Sequence, residues 1–347
     1  MMRIGLRFEE WPEEDRAVWV GLFQQGHPLD ESGPLSHYRD ASIIHLRNAY
    51  SYWLAWIRSE APGLFSEAPP ARITAERLAA WRDAMSHLAP HSVSGQLQAL
   101  GRILHPLDRD RPTRMEKAVI HHAKARAERL GSERKLGRIV DTSVLLQAGL
   151  QHFGHHVGMM AADPKAALHC RDGLMIALLA LMPMRRRPFA ELELGRSLRQ
   201  TSSGWQVVLC EADLKAGASW ESAVPSNLVG PLTAYVDRVR PILAGRNHLS
   251  CTHLWLTKDG SPMTQSYLGV RMKELTLRLT GRDVSCHLFR DCAATTLAVT
   301  SPDMARLTKS LLGHSTDKTA TRYYNQATSL EAGRLLGARI KAIRKEK

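Results

Sequence analysis

The amino-acid sequence predicts a mainly α-helical protein of two domains, with a small antiparallel β-sheet confined to the second. Three observations carry that expectation. The chain has 347 residues, 44% of them apolar, which is long for one domain and enough for two cores. Apolar residues recur at helical spacing through most of its length. One stretch, "GWQVVLCEADLKAGASWESAVPS" (204–226), reads instead as a strand, a polar turn containing Gly217, and a second strand.

Residues 1–40 carry an acidic cluster and an "ESGPLS" loop and are expected to form an N-terminal extension. A first long helix follows in "ASIIHLRNAYSYWLAWI". "EAPPAR" at 67–72 breaks the chain, and Thr74 is placed to cap "AERLAAWRDAMSHL"; after Pro90 comes "SVSGQLQALGRILHPL". Residues 41–107 therefore read as a small helical domain, with the tryptophans around 53–56 in its core. Between Asp108 and Arg138 there are ten Lys or Arg against five Asp or Glu, interrupted by Pro112 and Gly131. That composition suits an exposed basic connector able to lie along phosphates. From 139 to 347 a second domain is expected. It holds helices in "DTSVLLQAGLQHFG" and "LHCRDGLMIALLALM", the strand pair, a short strand and turn in "HLWLT" and "KDGSPM", and helix after Tyr267.

Lys and Arg number 47 against 34 Asp and Glu, a formal charge of +13, so the electrostatic partner should be polyanionic, with nucleic acid the first candidate. The longest apolar run, "LMIALLALMPM", has eleven residues and contains Pro183, too short to span a bilayer. The first residues lack the apolar core of a secretory signal, and a cytoplasmic location is expected. Five cysteines, Cys170, Cys210, Cys251, Cys286 and Cys292, form an odd set with no CxxC pair and read as reduced and mostly buried. The histidines of "HFGHH" (152–156), and His121 with His122, lack a matching ligand set elsewhere in the sequence and read as helix-surface residues.

Chemistry concentrates near the C-terminus. "CHLFRDCAATTLA" puts His287 and Arg290 three residues apart at the start of a helix, so one turn presents an imidazole and a guanidinium together. "SPDMARLTKSLLGHS" has Ser301 as cap, Pro302 at the first helical position and Gly313 as stop, leaving His314 in the turn beyond. Tyr323 and Tyr324 follow on the next helix.

"HLFRD", then "LLGHS", then a tyrosine about ten residues on resembles the tyrosine recombinases, or phage integrase family, whose signature is Arg, Lys, His-x-x-Arg, His or Trp, and Tyr. The resemblance covers the chain from about 140 onward, and more loosely 40–107, which is similar to that family's core-binding domain. It implies a C-shaped clamp of two domains around duplex DNA. It also implies Arg185 in "LMPMRRRPFAELELG" as the first arginine, with Arg187 the alternative and Phe189 and Leu192 at apolar positions. Pro188 stands where the family often has an acidic residue, and the hairpin lysine falls on Lys215. Most members place the tyrosine nine residues after the turn histidine, which selects Tyr323; those with a Tyr-Asn-Gln-Ala-like string select Tyr324, taken here as the nucleophile with Tyr323 as alternative.

These residue types suit attack on a phosphodiester. Two arginines hold the charge that builds on the non-bridging oxygens. A tyrosine with a pKa near 10 needs a base and the departing 5′ oxygen needs a proton, roles that fit His287 and Lys215, while His314 hydrogen-bonds the phosphate. The expected product is a 3′-phosphotyrosine link, made without ATP, metal or other cofactor. The implied partners are double-stranded DNA with inverted-repeat half-sites and, on paired sites, a homo-tetramer, with monomers when free and no membrane. Leu330, Leu335, Leu336, Ile340 and Ile343 make an apolar stripe on a basic terminal helix, able to pack on its own domain or on a neighbour. Two rival readings share these residues: a type IB topoisomerase-like enzyme, and a catalytically inactive DNA-binding derivative.

Overall fold

The computed structural model describes residues 5–26, 32–108, 112–130, 137–160, 163, 165–214, 219–245 and 251–300. The chain divides into two compact units, Met1–Glu133 and Arg134–Lys347.

The first unit is helical: α1 (Glu13–Phe23), α2 (Asp40–Glu60), α3 (Ala75–Ala84), α4 (Pro90–Leu107) and α5 (Arg114–Leu130). The expected caps and breaks operate here. Thr74 accepts a hydrogen bond from the Arg77 amide at 3.3 Å, and Pro90 opens α4 at a position where its missing N–H costs nothing. Trp53, Trp81, Leu54, Ile57 and Leu100 are almost wholly buried, so the tryptophans do form the core.

Two segments depart from expectation. The residues read as an extension enter this core: Trp19 and Leu22 of α1 are buried, and Trp11 packs on Trp19 and Tyr50 at centroid distances of 5.4 and 5.1 Å. Tyr50 of α2 donates to Asp15 Oδ1 at 2.6 Å, and Arg72 donates to Asp15 Oδ2 at 2.6 Å. All three side chains are buried. The segment read as a connector contains α5, whose Glu116, Ala123 and Ala127 are buried, with Ile120 against Gly101 of α4. Its charge count hid a narrow small-residue stripe that packs while the basic residues stay outside.

In the second unit α6 (Thr142–Val157) and α7 (Ala166–Leu181) run antiparallel in backbone contact. A Cβ on Gly149 would lie 2.7 Å from the Gly173 carbonyl, and one on Gly173 would lie 2.6 Å from the Gly149 carbonyl, so only glycine allows this approach. α8 (Arg186–Ala190) precedes a sheet of β1 (Leu198–Thr201), β2 (Gly204–Leu209) and β3 (Trp220–Ala223), antiparallel in that order. The register pairs Leu198 with Val207 and Val207 with Ser222; Trp205, Val207 and Leu209 point inward, as the alternation predicts. The segment "HLWLT" forms isolated bridges, Glu193 to His253 and Leu256 to Pro262, rather than a strand of that sheet. α9 (Ser226–Ala234) continues through a π-helical turn into α10 (Arg240–Ala244). α11 (Gln265–Thr280) and α12 (Cys286–Thr300) follow.

Cys170, Cys286 and Cys292 are buried, Cys251 is half-buried and Cys210 exposed; none is in a disulfide. Burial pushes the three buried thiols up to about 11. No helix among the described residues is long and apolar enough to cross a membrane.

Candidate active site

α7 is the central helix of the second unit, with nearly every residue from Ala166 to Ala180 buried. Pro183 prevents it from continuing, and the chain turns into α8 at Arg185, whose φ of −67° and ψ of 152° are those of a cap residue. Phe189 and Leu192 are buried and fix the short helix beneath this turn. The three consecutive arginines then meet three environments. Arg185 is half-buried. Arg186 lies against Gly269 of α11, where an added Cβ would stand 3.0 Å from its Nη1. Arg187 is exposed and paired with Glu191 at 3.0 Å, a carboxylate that also accepts from Gln265 at 3.0 Å.

α12 begins after Ser285, whose Oγ accepts from the Leu288 amide at 3.3 Å. His287 in the first turn is exposed, whereas Arg290, one turn on, is 4% exposed. The Arg290 guanidinium donates to the Pro183 carbonyl at 2.6 Å, joining residues 107 positions apart. That contact brings Arg290 to the loop that carries Arg185. α12 is itself pinned by the chain entering α6: Arg138 donates to the Asp283 carbonyl at 2.6 Å, the Val140 amide to Cys292 Sγ at 3.4 Å and the Thr142 amide to Thr296 Oγ1 at 3.0 Å.

Behind the loop lies a polar network that sequence reading did not identify. Asp172, fully buried on α7, accepts from Arg171 at 2.7 Å and from Arg271 of α11 at 2.6 Å. Arg171, also buried, donates onward to the Leu256 carbonyl at 2.6 Å. The signal was present as "RD" inside an otherwise apolar helix, since charges there are retained only when paired. Nothing local marked the Pro183 carbonyl as an anchor.

Lys215, His314, Tyr323 and Tyr324 lie outside the described residues, as do Gly217 and the stripe from Leu330 to Ile343. His121 and His122 are exposed on α5. His152 and His156 of α6, in contrast, gather with His169 of α7, a partner that the linear spacing did not suggest.

The sequence pattern of the phage integrase family matches residues 156–329, half of the chain. Three solved structures share the fold at low identity. XerH site-specific recombinase bound to palindromic difH substrate, a post-cleavage complex, aligns with a TM-score of 0.55 and 13% identity over 95% of this chain and 98% of that one. XerH in a pre-cleavage complex with difH gives 0.52 and 14%, over 89% and 92%. The Tn1549 transposon integrase with transposon right end DNA gives 0.52 and 12%, over 92% and 98%. No curated protein matches the sequence significantly. A mainly helical chain with a small antiparallel sheet, an HxxR helix anchored beside an arginine turn, and this family pattern across half its length is a member of the phage integrase family, the tyrosine recombinases.

Proposed function

We propose that the protein is a site-specific DNA recombinase that integrates, excises or resolves a mobile element or replicon through a 3′-phosphotyrosine intermediate. The observation that carries the reading is the Arg290 contact with the Pro183 carbonyl, two residues before Arg185, with His287 one turn away on the same helix. A guanidinium held at the loop that carries a second arginine suits a phosphate whose non-bridging oxygens gain charge during displacement.

In this reading Tyr324 Oη attacks phosphorus as His287 takes its proton. The bond to the 5′ oxygen breaks, Lys215 protonates the departing hydroxyl, and His314 steadies the phosphate through a hydrogen bond. The 5′ hydroxyl of another strand then attacks the phosphotyrosine and restores a diester. One diester is exchanged for another at each step, so no ATP is consumed, and the charge is carried by side chains rather than a metal. Duplex DNA with inverted-repeat half-sites and a tetramer on paired sites complete the reading, with 41–107 and 139–347 as the two halves of the clamp. The exposed Arg114, Lys117, Lys124, Arg126 and Arg129 of α5 support backbone contact. Binding should then weaken with salt at a slope of about −0.9 per phosphate neutralised.

The test is a nicked suicide substrate carrying the inverted repeats that flank the element, with the reaction run in EDTA. The wild-type protein is expected to form a covalent adduct, Tyr324→Phe to bind DNA without one, and Tyr323→Phe to retain it. Reversal of the two variants moves the nucleophile to Tyr323. Specific binding with no wild-type adduct overturns the enzyme reading, and adducts formed equally on random DNA favour a topoisomerase-like activity.

A further inference from the structure

His152 and His156 stand one turn apart on α6, the spacing at which two imidazoles on a helix share a metal ion. His169 comes from α7, which the facing glycines Gly149 and Gly173 hold in backbone contact with α6. One ring nitrogen from each histidine lies within 4.8 Å of the others. The ring centroids of His156 and His169 are 4.4 Å apart, those of His152 and His156 4.5 Å, and those of His152 and His169 5.4 Å.

The polar atoms of the cluster point the same way. His152 Nε2 and His169 Nδ1 are buried and make no hydrogen bond, a costly state for ring nitrogens in the absence of another partner. His156 Nδ1 lies 2.8 Å from the His152 carbonyl; donation there leaves its Nε2 as the free lone pair, the arrangement that commonly orients a metal-binding imidazole. Burial and the neighbouring imidazoles hold His152 down to about 4, and burial lowers His169, so both are neutral bases at neutral pH. Of the charges that reach the cluster, Asp172 favours an added positive charge, and Arg278 and Arg271 oppose it.

We infer that His152, His156 and His169 form a binding site for a divalent transition-metal ion of the zinc class, which ties α6 to α7. Three neutral imidazoles suit zinc, cobalt, nickel or copper and not the oxygen-seeking magnesium or calcium. Zinc–nitrogen bonds of about 2.0–2.1 Å in a tetrahedron require the three nitrogens to close to roughly 3.4 Å, a movement within reach of side-chain rotation. The fourth position is left to water or a further ligand. The site uses none of Arg185, His287 or Arg290 and stands independently of the recombinase reading. Its ion would brace the helix pair that leads into the arginine turn.

The full-length protein, without a histidine tag, is stripped with EDTA, exchanged into clean buffer and titrated with Zn²⁺ by calorimetry, with Co²⁺ as the spectroscopic probe. One equivalent of Zn²⁺ is expected, with visible cobalt bands of tetrahedral type and no response to Mg²⁺. At about a hundredfold excess over Kd the melting temperature should rise by about 5 °C. His169→Ala should lower the affinity at least about 100-fold, beyond the range seen on removing an outer hydrogen-bond partner. His156→Gln is the second variant, used with circular dichroism to verify folding. A double variant, His121→Ala with His122→Ala, should bind as the wild type does. Absence of stoichiometric binding, or binding undiminished in folded His169→Ala or His156→Gln, overturns the site.

Discussion

Asp15 in the first unit and Asp172 in the second are each wholly buried in a network of hydrogen bonds, and the two networks serve different ends. In the first unit Asp15 joins Tyr50 and Arg72, 35 and 57 residues away, and so docks α1 onto α2 and the chain before α3. Arg72 also donates to the Glu67 carbonyl at 2.7 Å, which ties down the loop itself. In the second unit Asp172 sits between two guanidiniums, its neighbour Arg171 and Arg271 on α11. It fixes the position of α7, which ends at Leu181, two residues before the Pro183 carbonyl that anchors Arg290. The same physics, a buried acid shared between elements, fastens α1 in one unit and holds the helix that leads to the Pro183 turn in the other.

The largest expected effect tests that contrast directly. Asp172→Ala and Asp15→Ala should each cost about 3–5 kcal/mol, because each leaves a buried arginine without its acid. Hydrogen exchange should show the loss of protection confined to the unit carrying the substitution, and only Asp172→Ala should also depress DNA cleavage in protein that remains folded. Equal damage to cleavage from both would dissolve the distinction.

Arg290→Ala sharpens it from the other side. The proposed role is greatest as charge develops on the phosphate, so cleavage should fall about 10²–10³-fold, equivalent to about 2.7–4 kcal/mol, with DNA affinity largely retained. A parallel loss of affinity would make it a ground-state phosphate anchor.

Tyr50→Phe should cost about 1.5–3 kcal/mol, the range for a hydrogen bond to a charged group, and leave cleavage unchanged. Urea denaturation measures the first and adduct yield the second. Smallest is Thr74→Ala, where loss of the α3 cap should cost about 1 kcal/mol in the same denaturation experiment.

The departures from expectation follow the same division between local and distant contacts. α2, α3, α4, α6 and α7 were legible because each carries its apolar period together with a cap or a break, such as Thr74 before α3 and Asp141 before α6. α1 and α5 were not. α1 is short and enters the core through aromatic contacts with α2, and α5 buries only Glu116, Ala123 and Ala127 among many charges. A weak stripe reads as solvent-facing until the surface it meets is known.

The sequence by itself determined the helical periods, the inward alternation of Trp205, Val207 and Leu209, the order of the HxxR and GHS motifs, and the family, because each is written in residues a few positions apart. Tertiary structure alone decided which of three adjacent arginines pairs with Glu191, which carbonyl receives Arg290, which acid neutralises Arg72, and that His169 stands beside His152 and His156. Most of these contacts join residues far apart along the chain, and even the short-range pair of Arg187 with Glu191 acquires its meaning from Gln265 on α11. Local preference sets where a helix starts and which face it buries; the burial of many side chains at once sets which helices meet, and so which polar groups must find one another.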